Sequence, residues 1–140
     1  MRPMLQNPFA DTGFWIGLIV KQDQYHTRAH EWAKRVAGRI TTTSAILLET
    51  ANALSRPNWR VHVVALLDHL SRRSDVEIVP LSPDLFGRGW DLYRTRPDKA
   101  WSLTDCVSFV VMQDSGLTDA LTADEHFQQA GFRAALLETP

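Results

Sequence analysis

Short β-branched or apolar runs alternate with helix-period segments along the whole chain, and few folds accept that alternation. Ile40–Thr43 and Val76–Val79 read as strands, as do Leu117–Thr122 and Phe132–Leu136, while Pro8–Ala10 reads as the end of a first strand. Helices are expected over Phe14–Val20 and over Tyr25–Val36, whose apolar residues fall at 25, 29, 32, 33 and 36. Further helices are expected from Ser44 to about Ser55, over Val61–Leu70, from Ser82 to Arg94, from Ser102 to Met112 and over Asp124–Ala130, with Arg96–Trp101 a loop. Short strands separated by helices require a parallel sheet covered on both faces. In such sheets ligands sit beyond the carboxyl ends of the strands, near the point where strand order reverses. Pro8 cannot donate to a ladder, so the first strand should be very short.

No repeat or Gly/Ser linker divides the 140 residues, which are read as one domain with residues 1–7 as a tail. A chain of this length buries roughly two-thirds of the surface its unfolded form exposes, enough for one core. The longest uncharged apolar run, Gly13–Val20, is eight residues, against roughly 20 for a membrane-spanning helix. The Met1–Pro8 segment has no apolar stretch of signal-peptide length. One cysteine, Cys106, excludes an internal disulfide framework and a multi-cysteine zinc site, and a reducing cytoplasmic setting is expected. Fifteen Lys/Arg against sixteen Asp/Glu leave no global basic footprint for nucleic acid. Charge alone does not decide the matter: with four acids occupied by metal, fifteen basic side chains would face twelve acids.

Four acids occupy related places. Asp11 follows the first strand, Glu49 lies inside the apolar run Ile46–Ala51, Asp105 sits one turn into the Ser102 helix, and Asp124 follows the Leu121–Ala123 strand end. Three of them have ordinary structural readings. Asp11 suits a helix N-cap, Ser102–Asp105 suits a capping box, and Thr122–Glu125 offers a second one. Glu49 has no capping role, and a partly buried carboxylate without a partner is costly. Carboxylates about 5 Å apart repel by roughly 3 kcal/mol per pair at an effective dielectric near 20, so four at one sheet edge would demand a cation or protonation. Oxygen ligands without cysteine suit Mg²⁺ or Mn²⁺.

These residues carry a resemblance. Asp11-Thr12-Gly13-Phe14-Trp15-Ile16, Thr42-Thr43-Ser44-Ala45-Ile46-Leu47-Leu48-Glu49-Thr50-Ala51-Asn52, Ser102-Leu103-Thr104-Asp105-Cys106 and Leu121-Thr122-Ala123-Asp124-Glu125-His126-Phe127 resemble a PIN domain. Among PIN domains the chain is most similar to the VapC-type ribonuclease toxins of toxin–antitoxin pairs. The resemblance implies a three-layer α/β/α sandwich with a mainly parallel sheet. It also implies Mg²⁺- or Mn²⁺-dependent hydrolysis of single-stranded or loop RNA. Asp11, Glu49, Asp105 and Asp124 would be the metal-binding and catalytic acids, with Thr12, Asn52 and Thr122 supporting them. Asp11, Glu49 and Asp105 would sit at or near the ion, and Asp124 would hold a second ion or order its waters. The first strand departs from the pattern, reading Asn7-Pro8-Phe9-Ala10 rather than a Val/Ile/Leu run, and the N-terminal extension is long.

Other readings compete. A phosphoacceptor receiver needs paired acids after the first strand and a late lysine, but Asp11 stands alone and no lysine follows Lys99. A phosphatase with an Asp-x-Asp motif is excluded by Gly13. The alternative that stays is a catalytically silent PIN-like RNA-binding module, although all four acids are retained. His26/His30 and His62/His69 are read as solvated helix faces, Cys106 as a small core residue, and Asp98 as either an outer acid or a loop residue. Arg88, Arg94, Arg96 and Lys99 form a local basic cluster suited to phosphates, while the five tryptophans are too scattered in sequence for a stacking platform. Trp15, Ile19, Trp32, Ile46 and Leu48 exceed what one sheet face needs. By resemblance they are expected to receive an antitoxin segment whose Arg reaches the acids, with the Leu85–Arg94 helix joining two copies as a homodimer; the alternative is that they fill the domain's own core.

Overall fold

The computed structural model describes residues 4–140. In chain order the elements are β1 (Leu5–Gln6), β2 (Phe9–Ala10), α1 (Thr12–Ile19), α2 (His26–Ala33), β3 (Val36–Ala37), β4 (Ile40–Thr43), α3 (Ser44–Ala53) and α4 (Pro57–Arg72). They continue as β5 (Val76–Val79), α5 (Pro83–Thr95), α6 (Leu103–Asp114), β6 (Asp119–Leu121), α7 (Glu125–Gln129) and β7 (Arg133–Ala134), ending in a 3-10 turn at Ala135–Leu137. Five strands make one sheet in the order β5-β4-β2-β6-β7, every pair parallel. The chain steps from β2 outward to β4 and β5, then crosses back to β6 and β7 on the other side. β2 is therefore the switch point, and its carboxyl end is where a ligand site belongs.

Local chemistry sets the bounds. Pro8 limits β2 to two residues, yet its carbonyl still accepts the Thr41 N–H at 3.0 Å. Pro57 and Pro83 stand in the first turns of α4 and α5, where a missing N–H costs nothing. The Thr43 and Ser82 hydroxyls cap α3 and α5 by accepting from the N–H groups of Ile46 and Leu85.

The N-terminal segment corrects the sequence reading. Leu5 and Gln6, expected in a tail, pair in parallel with Val36 and Ala37, and Leu5 is fully buried. The expected Tyr25–Val36 helix consequently stops at Ala33. β-Branched Val36 enters the strand, and Gly38 takes a positive φ of 84° where a Cβ would collide with Asn7. At the other end only Arg133–Ala134 of the expected Phe132–Leu136 strand pairs with β6, and the chain then coils into the 3-10 turn.

The apolar surplus is also corrected. Trp15, Trp32 and Ile46 fill the core, and Ile19 is half-buried. The two indoles can be buried because each N–H finds an acceptor, Thr42 Oγ1 at 3.4 Å for Trp15 and the Glu138 carbonyl at 3.0 Å for Trp32. Of the five residues only Leu48 is exposed, at 61%. Among the described residues no helix is long and apolar enough to cross a membrane.

Candidate active site

Asp11 leaves β2 at the N-cap position of α1 but makes no capping hydrogen bond. Its Oδ2 instead accepts the Thr122 hydroxyl at 2.8 Å, while its N–H donates to the Leu121 carbonyl at 3.2 Å. The N-cap reading of its side chain is thereby replaced: the carboxylate is turned across the sheet to the end of β6. Asp11 is 8% exposed, and burial pushes its carboxyl up to about 7. The hydrogen bonds from Thr122 and the Thr12 backbone pull the other way, and the charges of Asp105 and Glu49 raise it further.

Thr12, the first residue of α1, donates its hydroxyl to Glu49 Oε1 at 2.6 Å. Glu49 thus has a partner, and it is exposed rather than partly buried. Its side of α3 faces a cavity of about 280 Å³, lined also by Asn52, Leu48, Phe86, Leu103 and Thr104. Asn52 is exposed, three residues along the same helix.

Asp105 is the third residue of α6 and forms the expected reciprocal capping box with Ser102. The Asp105 N–H donates to Ser102 Oγ at 3.0 Å, and the Ser102 N–H donates to Asp105 Oδ2 at 3.1 Å. The same Oδ2 lies 3.0 Å from His126 Nδ1. Burial raises the Asp105 carboxyl, the Ser102 N–H lowers it, the Asp124 charge raises it and His126 lowers it. The second expected capping box is absent. Asp124 itself caps α7, accepting the His126 N–H at 2.9 Å, and its own N–H donates to Thr122 Oγ1 at 3.1 Å. One hydroxyl therefore links Asp11 to Asp124.

His126 is the residue that sequence reasoning passed over. Its Nδ1 is 3.3 Å from Asp124 Oδ1, and ligand atoms of Asp105, Asp124 and His126 lie within 4.8 Å of one another. The signal available was its place two residues after an N-capping acid, which brings the imidazole over that carboxylate. Of the four acids only Asp105 and Asp124 share that group; Asp11 feels the charges of Asp105 and Glu49, and Asp105 that of Asp124. Among the described residues none of the four pairs with Lys or Arg. A carboxyl raised by burial, with the Asp105 and Asp124 oxygens and the His126 ring nearby, fits a divalent ion such as Mg²⁺ or Mn²⁺.

The remaining candidates separate cleanly. Cys106 is buried and its thiol is pushed up to about 11 by burial and by Asp105. Asp98 is exposed and bound by the Arg96 guanidinium through two 3.0 Å bonds, which hold its carboxyl below the usual range, so it is a loop residue. His26 and His30 are not merely solvated. They meet the last carbonyls of α1, Nδ1 of His26 on Gly17 at 2.7 Å and Nε2 of His30 on Leu18 at 3.1 Å. Those carbonyls can only accept, so each imidazole donates there. His62 and His69 are exposed on α4. Arg88 leaves the basic cluster by forking onto Asp114.

A parallel sheet with carboxylates gathered at its switch point defines the class. The PIN-domain model matches residues 9–133, and the chain belongs to the PIN-domain family. Within it the chain falls with the VapC-type proteins. It is 32% identical over 126 residues to the 23S rRNA-specific endonuclease VapC20 of Mycobacterium tuberculosis, covering 89% of this chain and 94% of that one. The crystal structure of the Mycobacterium tuberculosis VapC20, described as a sarcin-ricin loop cleaving toxin, superposes with a TM-score of 0.82 at 27% identity over 89% of this chain and 95% of that one. The fold alone is shared with VapBC2 of Rickettsia felis, bound to a DNA fragment from its promoter, at a TM-score of 0.62 and 16% identity over 94% and 97% of the two chains.

Proposed function

We propose that this protein is a metal-dependent endoribonuclease acting on single-stranded or loop RNA, and the toxin of a toxin–antitoxin pair in the cytoplasm. The observation that carries the reading is Asp11, a buried carboxyl linked through the Thr122 hydroxyl to Asp124, which stands beside Asp105 and His126, and among the described residues unpaired with any Lys or Arg. Asp11, Glu49, Asp105 and Asp124, with His126 beside the last two, would hold Mg²⁺ or Mn²⁺. When bound, such an ion supplies Lewis-acid activation of water and neutralises phosphodiester charge. The chain's own residues do the positioning: Thr12 fixes Glu49, Thr122 fixes Asp11, and the Ser102 cap fixes Asp105. His126 Nδ1–H donates to Asp105 Oδ2 at 3.0 Å, with Asp124 Oδ1 3.3 Å away, and so orients the Asp105 carboxylate.

The silent RNA-binding alternative loses ground because the similar VapC20 is an endonuclease and all four acids are retained here. The specificity of that relative makes a ribosomal RNA loop the first substrate to try. Leu48 and Leu81, exposed around the cavity beside Glu49, are the apolar residues we assign to an antitoxin segment. An antitoxin Arg reaching the acids from there would compete with the ion. A second copy is proposed to join along α5. The test is cleavage of an end-labelled ribosomal RNA stem-loop by the wild type and by Asp105→Asn. Cleavage in Mg²⁺ or Mn²⁺ that disappears in EDTA and in the folded variant is expected; full activity in EDTA ends the metal-nuclease reading.

A further inference from the structure

A second cleft lies against the site and is chemically unlike it. Its volume is about 760 Å³, and its walls are the C-terminal half of α5 and the loop leading into α6. On α5, Trp90 and Tyr93 stack with centroids 5.5 Å apart and planes 17° from parallel, yet they are 46% and 44% exposed. Two large rings left in water on one helix face call for an occupant. Opposite them the loop carries cations. Arg96 and Lys99 sit over the Trp101 ring, 5.0 Å and 6.0 Å from its centroid. Trp101 is itself buried, with its indole N–H donating to Gln129 at 3.0 Å, so it is a fixed plate holding both charges at the cleft wall. Arg94 adds a third cation. Arg94 and Arg96 are held in exposed ion pairs by Asp91 at 2.7 Å and Asp98 at 3.0 Å, neither of which lines the cleft, and among the described residues Lys99 pairs with no carboxylate.

The cleft runs directly to the acids. Ser102 in its wall is the residue whose hydroxyl and N–H bond Asp105, and Leu103 lines both this cleft and the cavity beside Glu49. Exposed π-faces beside Lys99 and two arginines in solvent-exposed ion pairs, which phosphates can displace, match a polyanion whose bases are unpaired, and an apolar protein segment would leave Lys99 without a counterpart.

We propose that this cleft is a single-stranded RNA subsite, in which bases stack on Trp90 and Tyr93 while Arg94, Arg96 and Lys99 hold the phosphates on the way to Asp105. The proposal rests on the nuclease reading for its purpose, but its test does not need cleavage. A fluorescein-labelled single-stranded RNA octamer is titrated against the wild type in EDTA and read by anisotropy over a range of salt.

The double variant Trp90→Ala/Tyr93→Ala should weaken binding by about tenfold or more with the salt slope unchanged, and Trp90→Phe/Tyr93→Phe should restore it. Lys99→Ala should lower the slope of log affinity against log salt by about 0.7, the value for one phosphate contact on a single strand. Lys21→Ala, beyond the far end of α1, should change neither. Variants that are folded by circular dichroism and bind within twofold of wild type overturn the proposal, and so does a double variant that alters sedimentation alone. If the wild type binds RNA through these residues yet never cleaves it in Mg²⁺ or Mn²⁺, the subsite stands and the nuclease reading falls.

Discussion

Asp11 carries the largest electrostatic cost in the site. In the folded, metal-free protein its carboxyl titrates at about 7, against 3.8 when free. The folded state therefore binds the proton more tightly, and the relative stability this gives is full below about pH 4. It is lost as pH rises through 7. The rise corresponds to at most on the order of 4 kcal/mol. Asp11→Asn has no such dependence. In denaturant melts without metal the variant should match the wild type at pH 4 and exceed it at pH 8, and Mn²⁺ should restore the wild type alone. Equal stabilities at pH 8 would show that Asp11 bears no burial penalty. Thr122 works against that penalty through its bond to Asp11. The sequence placed Asp11 and Asp124 at strand ends and Asp105 in a capping box, because strand-to-helix junctions and caps are legible. It did not show that Thr122 bridges Asp11 to Asp124, or that His126 joins the acids, because both depend on side chains from separate elements meeting.

At the scale of elements, α5 and α6 matter most, since they carry the cleft and Asp105. Gly89 lets them approach: a Cβ there would stand 2.6 Å from Val107 Cγ2 and 3.3 Å from the Val107 backbone. Gly89→Ala should cost about 1–3 kcal/mol in urea unfolding through overpacking. It should also lower metal affinity by tilting the start of α6, whereas Gly87→Ala, which meets open space, should do neither. A neutral Gly89→Ala would mean that the helices separate freely. Helix positions were readable from period and caps, and the Ser102 box is the best instance. What escaped was β1 with β3. A two-residue pair has no periodicity to detect, and Val36 belongs equally to a helical stripe and to a strand until Leu5 is beside it.

For the whole molecule, the sheet order places β2 between β4 and β6, so that Asp11 lies next to Thr122 although 111 residues separate them. The apolar surplus in the sequence was real but misassigned. Burial depends on which helix face meets the sheet, and Trp15, Trp32 and Ile46 turned inward while Leu48, Phe86 and Trp90 did not. Of the outward set, Trp90 belongs to the proposed RNA cleft, and Phe86 leads to an expected self-association along the N-terminal half of α5. In sedimentation equilibrium at micromolar concentration the protein should run at twice its 15.9 kDa chain mass, and Phe86→Glu should return it to one chain. A wild type at 15.9 kDa throughout would remove the dimer.

The central claim is that Asp11, Glu49, Asp105 and Asp124 act together to hold a divalent ion. Titration of Mn²⁺ into the metal-free protein, followed by electron paramagnetic resonance of the unbound ion, addresses it without any RNA. Saturable binding by the wild type is expected, with affinity at least about tenfold weaker in Asp11→Asn and in Asp105→Asn, each folded by circular dichroism. Wild-type Mn²⁺ affinity retained in both variants would contradict the claim.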